Sequence, residues 1–328
     1  MVNQQIQWGM IGCGRVTEKK SAPSFNKIKG SQLVAVASRT AKKAEDYARR
    51  HGVPSWHMDP QEVISDPEVD IVYIATPPGS HKQYALECIE AGKPVYIEKP
   101  MARSFAECQA IREAAGEEGV PVYIAYYRRS LDYFNHVKKI VDEGTLGKIL
   151  HVNMQQYFPA RKEDHNPSNL PWRVVSEVSG GGYFHDLGSH ALDILFYLFG
   201  DPVKVTGTAT NHGGLYEAHD TIGALITLPG DVPATCSWSF VTPEPYRKDL
   251  VEVTGERGKL KFSVYSFKPV TLITGEKEES FTADPPEHIQ MPLIQTIVDE
   301  INGKGVCPST GKTATVTSLA MDRITGIL

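Results

Sequence analysis

The strongest constraint on this chain is an alternation that runs through its first 125 residues. Short apolar runs of strand length, at 8–11, 32–37, 69–75, 95–97 and 120–125, are separated by stretches of helical spacing at 16–27, 41–50, 81–91 and 104–117. The runs are apolar almost throughout, as strands covered on both faces must be. Such a succession predicts an α/β fold with a doubly wound parallel sheet, in which 95–97 is the fifth strand and 120–125 the sixth. No run is assigned to the third.

The first strand breaks into Gly12-Cys13-Gly14-Arg15-Val16-Thr17. Gly12 is needed for a tight turn and Gly14 for close approach of the backbone to a pyrophosphate, with the N–H groups of Arg15, Val16 and Thr17 and the helix dipole facing the phosphates. Alone, such glycines are also found in ordinary turns. Pro23 falls inside the helix expected over 16–27, which predicts a kink or an early end. At the end of the second strand, where an acidic residue receives the ribose of NAD, stand Ser38 and Arg39, with Lys43 close behind. A hydroxyl followed by a guanidinium suits a 2′-phosphate, so the reading favours NADP, with NAD as the alternative. The competing reading of Arg39 is a solvated loop charge.

Thr76-Pro77-Pro78-Gly79 ends the strand at 69–75, and small residues and prolines there let a planar ring approach the backbone. His81 opens the next helix, either packing at its start or touching the cofactor. The strand at 95–97 delivers Glu98-Lys99-Pro100-Met101 to the same sheet edge, an unusual sequence at a usual place for active sites.

The net charge of −5, with both signs interspersed, offers no basic stripe, which argues against nucleic acid as a partner. Five cysteines, odd in number and without a CxxC pair, suggest neither a disulfide framework nor a zinc site. The polar lead Met1-Val2-Asn3-Gln4-Gln5 leaves no room for a signal peptide and no run reaches transmembrane length, so a cytoplasmic protein without a membrane partner is expected.

From Tyr126 onward the strands alternate apolar and polar residues, as at 150–157, 222–228 and 235–240, with a tight turn at 255–258. That pattern predicts an α+β domain with a large, mostly antiparallel open sheet. The division is expected near residue 125, giving a dinucleotide-binding domain over 1–125 and a substrate-binding and oligomerisation domain over 126–328, linked by a helix at 130–143. Gly180-Gly181-Gly182 reads as a hinge or close-approach loop before a helix at 186–198, on which Asp186 and His190, four apart, share one face. His190 is otherwise a core histidine bonded to Asp186. A metal site on Asp186, His190 and Asp193 is set aside because no further ligand cluster is evident. Closing helices, at 292–301 and from Ser309 or Thr310 onward, are expected to cover the sheet without chemistry.

Taken together, Gly12-Cys13-Gly14-Arg15, Ala75-Thr76-Pro77-Pro78 with His81, Ala91-Gly92-Lys93-Pro94-Val95, Glu98-Lys99-Pro100-Met101, Trp172-Arg173 and the run from Gly180 to Asp193 resemble the Gfo/Idh/MocA family of NAD(P)-dependent oxidoreductases, including its dihydrodiol dehydrogenase and glucose-fructose oxidoreductase-like members. The resemblance spans nearly the whole chain. Thr17, at the place of the third fingerprint glycine or alanine, and Pro23 depart from the pattern and imply a looser contact of the first helix with the sheet.

Oxidising a secondary alcohol removes a hydride from carbon and a proton from oxygen, which calls for an acid/base near neutral pKa and a positive charge beside the developing alkoxide. The resemblance implies that Lys99, Asp186 and His190 do this work. His190 then carries the proton, Lys99 orients the substrate oxygen, and Asp186 binds substrate and fixes the histidine; Lys99 and His190 can exchange roles. It further implies that Glu98, Trp172 and Arg173 lie beside the cofactor and that the open sheet forms a homodimer or homotetramer. Tyr126, Arg128, Tyr157 and Tyr183 are candidates for the substrate wall. The function expected is hydride transfer between NADP and a sugar, polyol or cyclic diol. Alternatives are a glycosidase of the same fold that uses transient oxidation, revealed by sugar cleavage without net cofactor turnover, and a non-catalytic NADP sensor, which has no need of an acid/base pair.

Overall fold

The computed structural model describes residues 5–328, so Met1 to Gln4 of the polar lead lie outside it. The described residues form two compact units, 5–131 with 286–315 and 132–285 with 316–328. The expected division near residue 125 thus differs in two ways: the chain leaves the first unit at Leu131, and residues 286–315 return to it.

The first unit is built on six parallel strands, β1 (Ile6–Ile11), β2 (Ser31–Ala37), β3 (Ser55–His57), β4 (Ile71–Ile74), β5 (Val95–Ile97) and β6 (Val122–Ile124), in the order β3-β2-β1-β4-β5-β6. This is the doubly wound order whose direction reverses between β1 and β4, where ligands of such sheets bind beyond the carboxyl ends of the strands. Every residue of β4, β5 and β6 is buried, which is why those runs read as continuous apolar segments. β3 escaped the sequence reading because it is a three-residue edge strand with Trp56 40% exposed, too short and too polar to stand out. The helix expected over 16–27 is split into Arg15–Lys19 and Ala22–Lys27, and Pro23 sits in the first turn of the second piece, where its missing N–H costs nothing. The helices Ala41–His51 and Phe105–Glu118 end on Gly52 and Gly119. The returning segment carries the helix Met291–Ile301 and joins the sheet edge through Ser309, whose hydroxyl donates to the Ile124 carbonyl at 2.7 Å.

The second unit holds eight strands, β7 (Ile149–Tyr157), β8 (Lys204–Thr210), β9 (Thr221–Leu228), β10 (Val232–Ser239), β11 (Lys248–Gly255), β12 (Gly258–Phe262), β13 (Val270–Thr274) and β14 (Lys277–Phe281). Their order is β14-β13-β12-β11-β7-β10-β9-β8, antiparallel except for the parallel pair β7 and β10. One face is covered: Phe184 meets Trp238 edge-on at 5.1 Å, and Ile324 of the closing helix Gly311–Thr325 lies against Gly207. The other face is more open, with Leu225 53% exposed. The linking helix runs over Asp132–Asp142 and is joined to Ser189–Phe199 by a 3.0 Å hydrogen bond from the Tyr197 hydroxyl to Asn135. No helix of the described residues is long and apolar enough to cross a membrane.

Candidate active site

In the first unit the carboxyl ends of β1 and β4 meet at Gly12. Its φ is +106°, and a Cβ there would stand 2.8 Å from the Ala75 carbonyl oxygen. Gly14 is exposed, and a Cβ on it would meet nothing within 4 Å, so the backbone here borders open space that a side chain would fill. Glycine is thus required at one position for the turn and leaves an exposed backbone at the other, which fits a bound dinucleotide. Thr17 is fully buried with its hydroxyl turned back onto the Gly14 carbonyl at 2.8 Å, so the larger residue is accommodated without an orphaned polar group. Arg15 is exposed and Val16 half-buried on the short helix that follows. Beyond β2, the Ser38 amide donates to the His57 carbonyl at 3.1 Å, while Arg39 and Lys43 are exposed. Burial pushes the Cys13 thiol up to about 12, which keeps it protonated.

After β4, Thr76 and Pro77 are half-buried, and the Thr76 carbonyl lies 2.7 Å from one ring nitrogen of His81. The other ring nitrogen is 3.0 Å from the Pro100 carbonyl, so the imidazole is wedged between the segments that follow β4 and β5. Burial pushes its pKa below the ordinary histidine value. Glu98 is 7% exposed. Its Oε1 accepts from the Tyr73 hydroxyl and from the Gln290 amide, both at 2.7 Å, and Oε2 accepts from the Lys99 main-chain N–H at 3.2 Å. Gln290 in turn accepts from the Tyr96 hydroxyl at 2.7 Å. The carboxylate therefore anchors the strand end that carries Lys99, and both its oxygens are engaged by the protein. Lys99 itself is half-buried, and its peptide bond to Pro100 is cis. Tyr126 is wholly buried in the core of this unit, and Arg128, 3% exposed, has its guanidinium 5.0 Å above the Tyr127 ring.

In the second unit the glycine run brings Gly181 against a ring: a Cβ on it would lie 2.4 Å from the His185 imidazole. This is the close approach that the run implied. The segment that follows is a π-helical turn, Phe184–Gly188, feeding the α-helix Ser189–Phe199. Asp186 and His190 thus straddle a change of helical pitch where the sequence predicted one uninterrupted helix; such wide turns recur at functional sites. The Arg173 Nε donates to Asp186 Oδ2 at 3.0 Å, and the same guanidinium stacks 4.5 Å above Trp172. Trp172 and Arg173 therefore support Asp186. His190 is 3% exposed, with the Tyr265 ring edge-on at 6.4 Å, and the Tyr265 hydroxyl donates to the Leu187 carbonyl. Tyr183 donates its hydroxyl to the buried Asp164 at 2.7 Å. Tyr157 stands on the more open face of the sheet, bonded to Ser237 at 2.8 Å, opposite the face on which Trp238 packs against Phe184. Among the described residues no group of three His, Cys, Asp or Glu is placed to hold a metal ion.

Burial lowers the His185 pKa from 6.5 to about 4. The folded protein resists a proton that the unfolded chain accepts, so this stabilisation is complete above pH 6.5 and is lost as pH falls toward 4. Over that window the loss is expected to reach about 3 kcal/mol, read as a falling urea midpoint, and His185→Phe should flatten the slope. An equally steep slope in the variant contradicts the assignment.

Two family models match parts of the chain: the oxidoreductase family with NAD-binding Rossmann fold over residues 6–126, and the GFO/IDH/MocA C-terminal domain over residues 134–261. The chain belongs to the Gfo/Idh/MocA oxidoreductase family. Among its curated relatives, Oxidoreductase P35 of Formosa agariphila is 34% identical over 99% of this chain and 100% of its own. The trans-1,2-dihydrobenzene-1,2-diol dehydrogenase of Mus musculus is 28% identical over 84% of this chain and 79% of its own. Levoglucosan dehydrogenase, solved in complex with NADH and L-sorbose, shares the fold with a TM-score of 0.86 at 20% identity, over 98% of this chain and 96% of that one.

Within the units, the fold groups Gly12, Gly14, Thr76 and Pro77 at the β1/β4 switch, and Trp172 and Arg173 with Asp186. Several residues of this Gfo/Idh/MocA member escaped the sequence reading. Gln290 is 192 residues from Glu98 in the chain and had no motif to mark it. Tyr73 sat inside an apolar run, where an aromatic residue ordinarily signals core. Arg161, Arg247 and Tyr265 lie on separate loops of the second unit, and no spacing rule connects them.

Proposed function

We propose that the chain is an NADP-dependent oxidoreductase that transfers a hydride between nicotinamide and a carbon bearing a secondary hydroxyl of a sugar, polyol or cyclic diol. The observation that carries this reading is the support given to Asp186 and His190: a carboxylate held by a stacked guanidinium, and an imidazole buried on the first turn of the following helix. A bound nicotinamide dinucleotide supplies the hydride acceptor or donor. Gly12, Gly14, Arg15 and Val16 would hold its pyrophosphate, with Thr76 and Pro77 along the same strand edge and the buried His81 fixing that segment through the Thr76 carbonyl. Lys99, presented by a strand end that Glu98 clamps, orients the substrate oxygen and lowers its pKa. His190 takes the hydroxyl proton or returns it, and Asp186 binds the substrate and fixes the imidazole. Reading out nicotinamide absorbance on a panel of sugars, polyols and cyclic diols tests the reaction; sugar cleavage without net reduction would replace it with the glycosidase alternative.

The NADP preference rests on Ser38 and the exposed Arg39 and Lys43 beyond β2, with Ser38 at the place where an acidic residue receives the ribose of NAD. Arg39→Ala is expected to raise the KM for NADP at least tenfold and to leave that for NAD within twofold; an unchanged ratio refutes the preference. The more open sheet face, with exposed Leu225 and the Tyr157–Ser237 pair, supports a homodimer or homotetramer.

A further inference from the structure

The second unit contains a cavity of about 370 Å³ that the acid/base assignment does not use. Its walls include the aromatic residues Phe158, Tyr183, Phe240 and Tyr265 and the cationic residues Arg161 and Arg247. It adjoins the Asp186 turn directly, because Leu187 also lines it and the Tyr265 ring that closes one side meets His190 edge-on at 6.4 Å. We propose that this cavity is a subsite for a sugar bearing a carboxylate, with Arg161 as the group that reads the acid. The proposal rests on the oxidoreductase reading only in taking its ligand to be a substrate.

The walls fit a sugar ring. Phe158 stacks with Phe240 at 6.4 Å and meets Tyr265 edge-on at 5.6 Å, while Tyr183 tilts against Phe240 at 5.8 Å. These contacts fix the aromatic side chains on one another, so they form a pre-built apolar box whose ring surfaces suit the C–H faces of a pyranose. The volume lies at the small end of the range for small-molecule sites, about 300–1,000 Å³.

The two cations differ in what compensates them. Arg247 makes a two-pronged contact with Glu244, at 2.8 and 3.1 Å, so its charge is neutralised by the chain itself. Arg161 instead has its guanidinium carbon over the Tyr183 ring, 4.4 Å from its centre. The nearby buried carboxylate, Asp164, spends its oxygens elsewhere: Oδ1 accepts from the Tyr183 hydroxyl and Oδ2 from the Arg161 main-chain N–H, both at 2.7 Å. Asp164 thus fixes the ring and the backbone beneath the guanidinium. A guanidinium held over an aromatic face in the wall of a cavity offers a planar fork of N–H donors, the group that pairs with a carboxylate through two parallel hydrogen bonds.

Calorimetric titration of the full chain with matched pairs tests this: D-glucuronate against D-glucose, and D-galacturonate against D-galactose, with D-glucose 6-phosphate as a second anion. In at least one pair the acid should bind tenfold or more tightly than its neutral parent. Arg161→Gln should remove at least tenfold of that affinity and change the neutral sugar less than threefold. Equal affinities in both pairs for the unaltered protein overturn the proposal without recourse to any variant. So does a preference that survives Arg161→Gln, or a tenfold preference for the phosphate over both acids. Nicotinamide reduction followed on the same compounds separates the two readings. Arg161-dependent binding of an acid that neither nucleotide oxidises leaves the subsite and takes that acid out of the proposed hydride transfer. Oxidation of glucose with the same KM as glucuronate leaves the oxidoreductase and removes the subsite.

Discussion

His190→Ala is expected to lower kcat by about 10²–10⁴-fold, the range for loss of a positioned general acid or base, and Lys99→Met to fall in the same range. Each residue sits on an element that fixes its backbone. His190 is buried on the first turn of Ser189–Phe199, beside the Tyr265 ring. Lys99 follows Glu98, whose carboxylate is tied to Tyr73, Gln290 and the Lys99 main chain, so the side chain can be changed without loosening the strand end. Lys99→Met should therefore retain the parent's melting temperature, and both variants should keep the stabilisation by nucleotide while losing turnover. Variants as active as the parent on its best substrate would remove both residues from the chemistry.

The second large effect belongs to the glycine turn, where neighbouring positions should separate a folding requirement from a binding requirement. At Gly12 an added Cβ would stand 2.8 Å from the Ala75 oxygen and 3.0 Å from its carbonyl carbon, at a φ of +106°. Those are main-chain atoms of a segment whose N–H is committed to the Ile11 carbonyl at 2.8 Å, so they cannot yield without breaking the pairing of β1 with β4. Gly12→Ala should cost about 1–3 kcal/mol from backbone strain alone and weaken nucleotide binding at least a hundredfold. At Gly14 a Cβ meets nothing within 4 Å, so Gly14→Ala should leave the urea midpoint unaltered yet weaken nucleotide at least tenfold by occupying the space that a pyrophosphate needs. Thermal shift with each dinucleotide separates the cases. A Gly14→Ala protein that binds as tightly as the parent contradicts the placement of the phosphates.

How far the sequence could be read depended on whether a signal was local. Buried parallel strands announce themselves as apolar runs, and Pro23 marked the break between Arg15–Lys19 and Ala22–Lys27. β3 stayed hidden because an edge strand with Trp56 40% exposed carries no such run. Alternation identified β7, yet which face Tyr157 occupies depends on what packs against the sheet, and Trp238 with Phe184 takes the opposite one. The four-residue interval from Asp186 to His190 was legible, whereas the π turn was not: Gly188 lies so close to Phe184 that a Cβ would stand 2.4 Å from its ring, a crowding that only the folded core creates. The return of residues 286–315 to the first unit depends on pairings such as Tyr123 with Glu300, at 3.0 Å across 177 residues. Glu98 and Lys99 are neighbours in the sequence, whereas the residues that engage the Glu98 Oε1, Tyr73 and Gln290, lie 25 and 192 residues away, where no motif points to them.

Combining Lys99→Met with His190→Ala tests most directly whether the two residues serve one reaction. If one orients the substrate oxygen while the other moves its proton, each is useless without its companion, and the doubly substituted enzyme should lose kcat about as severely as the worse of the two single variants. A loss equal to the product of the separate losses would mean that they act independently, and would contradict the account.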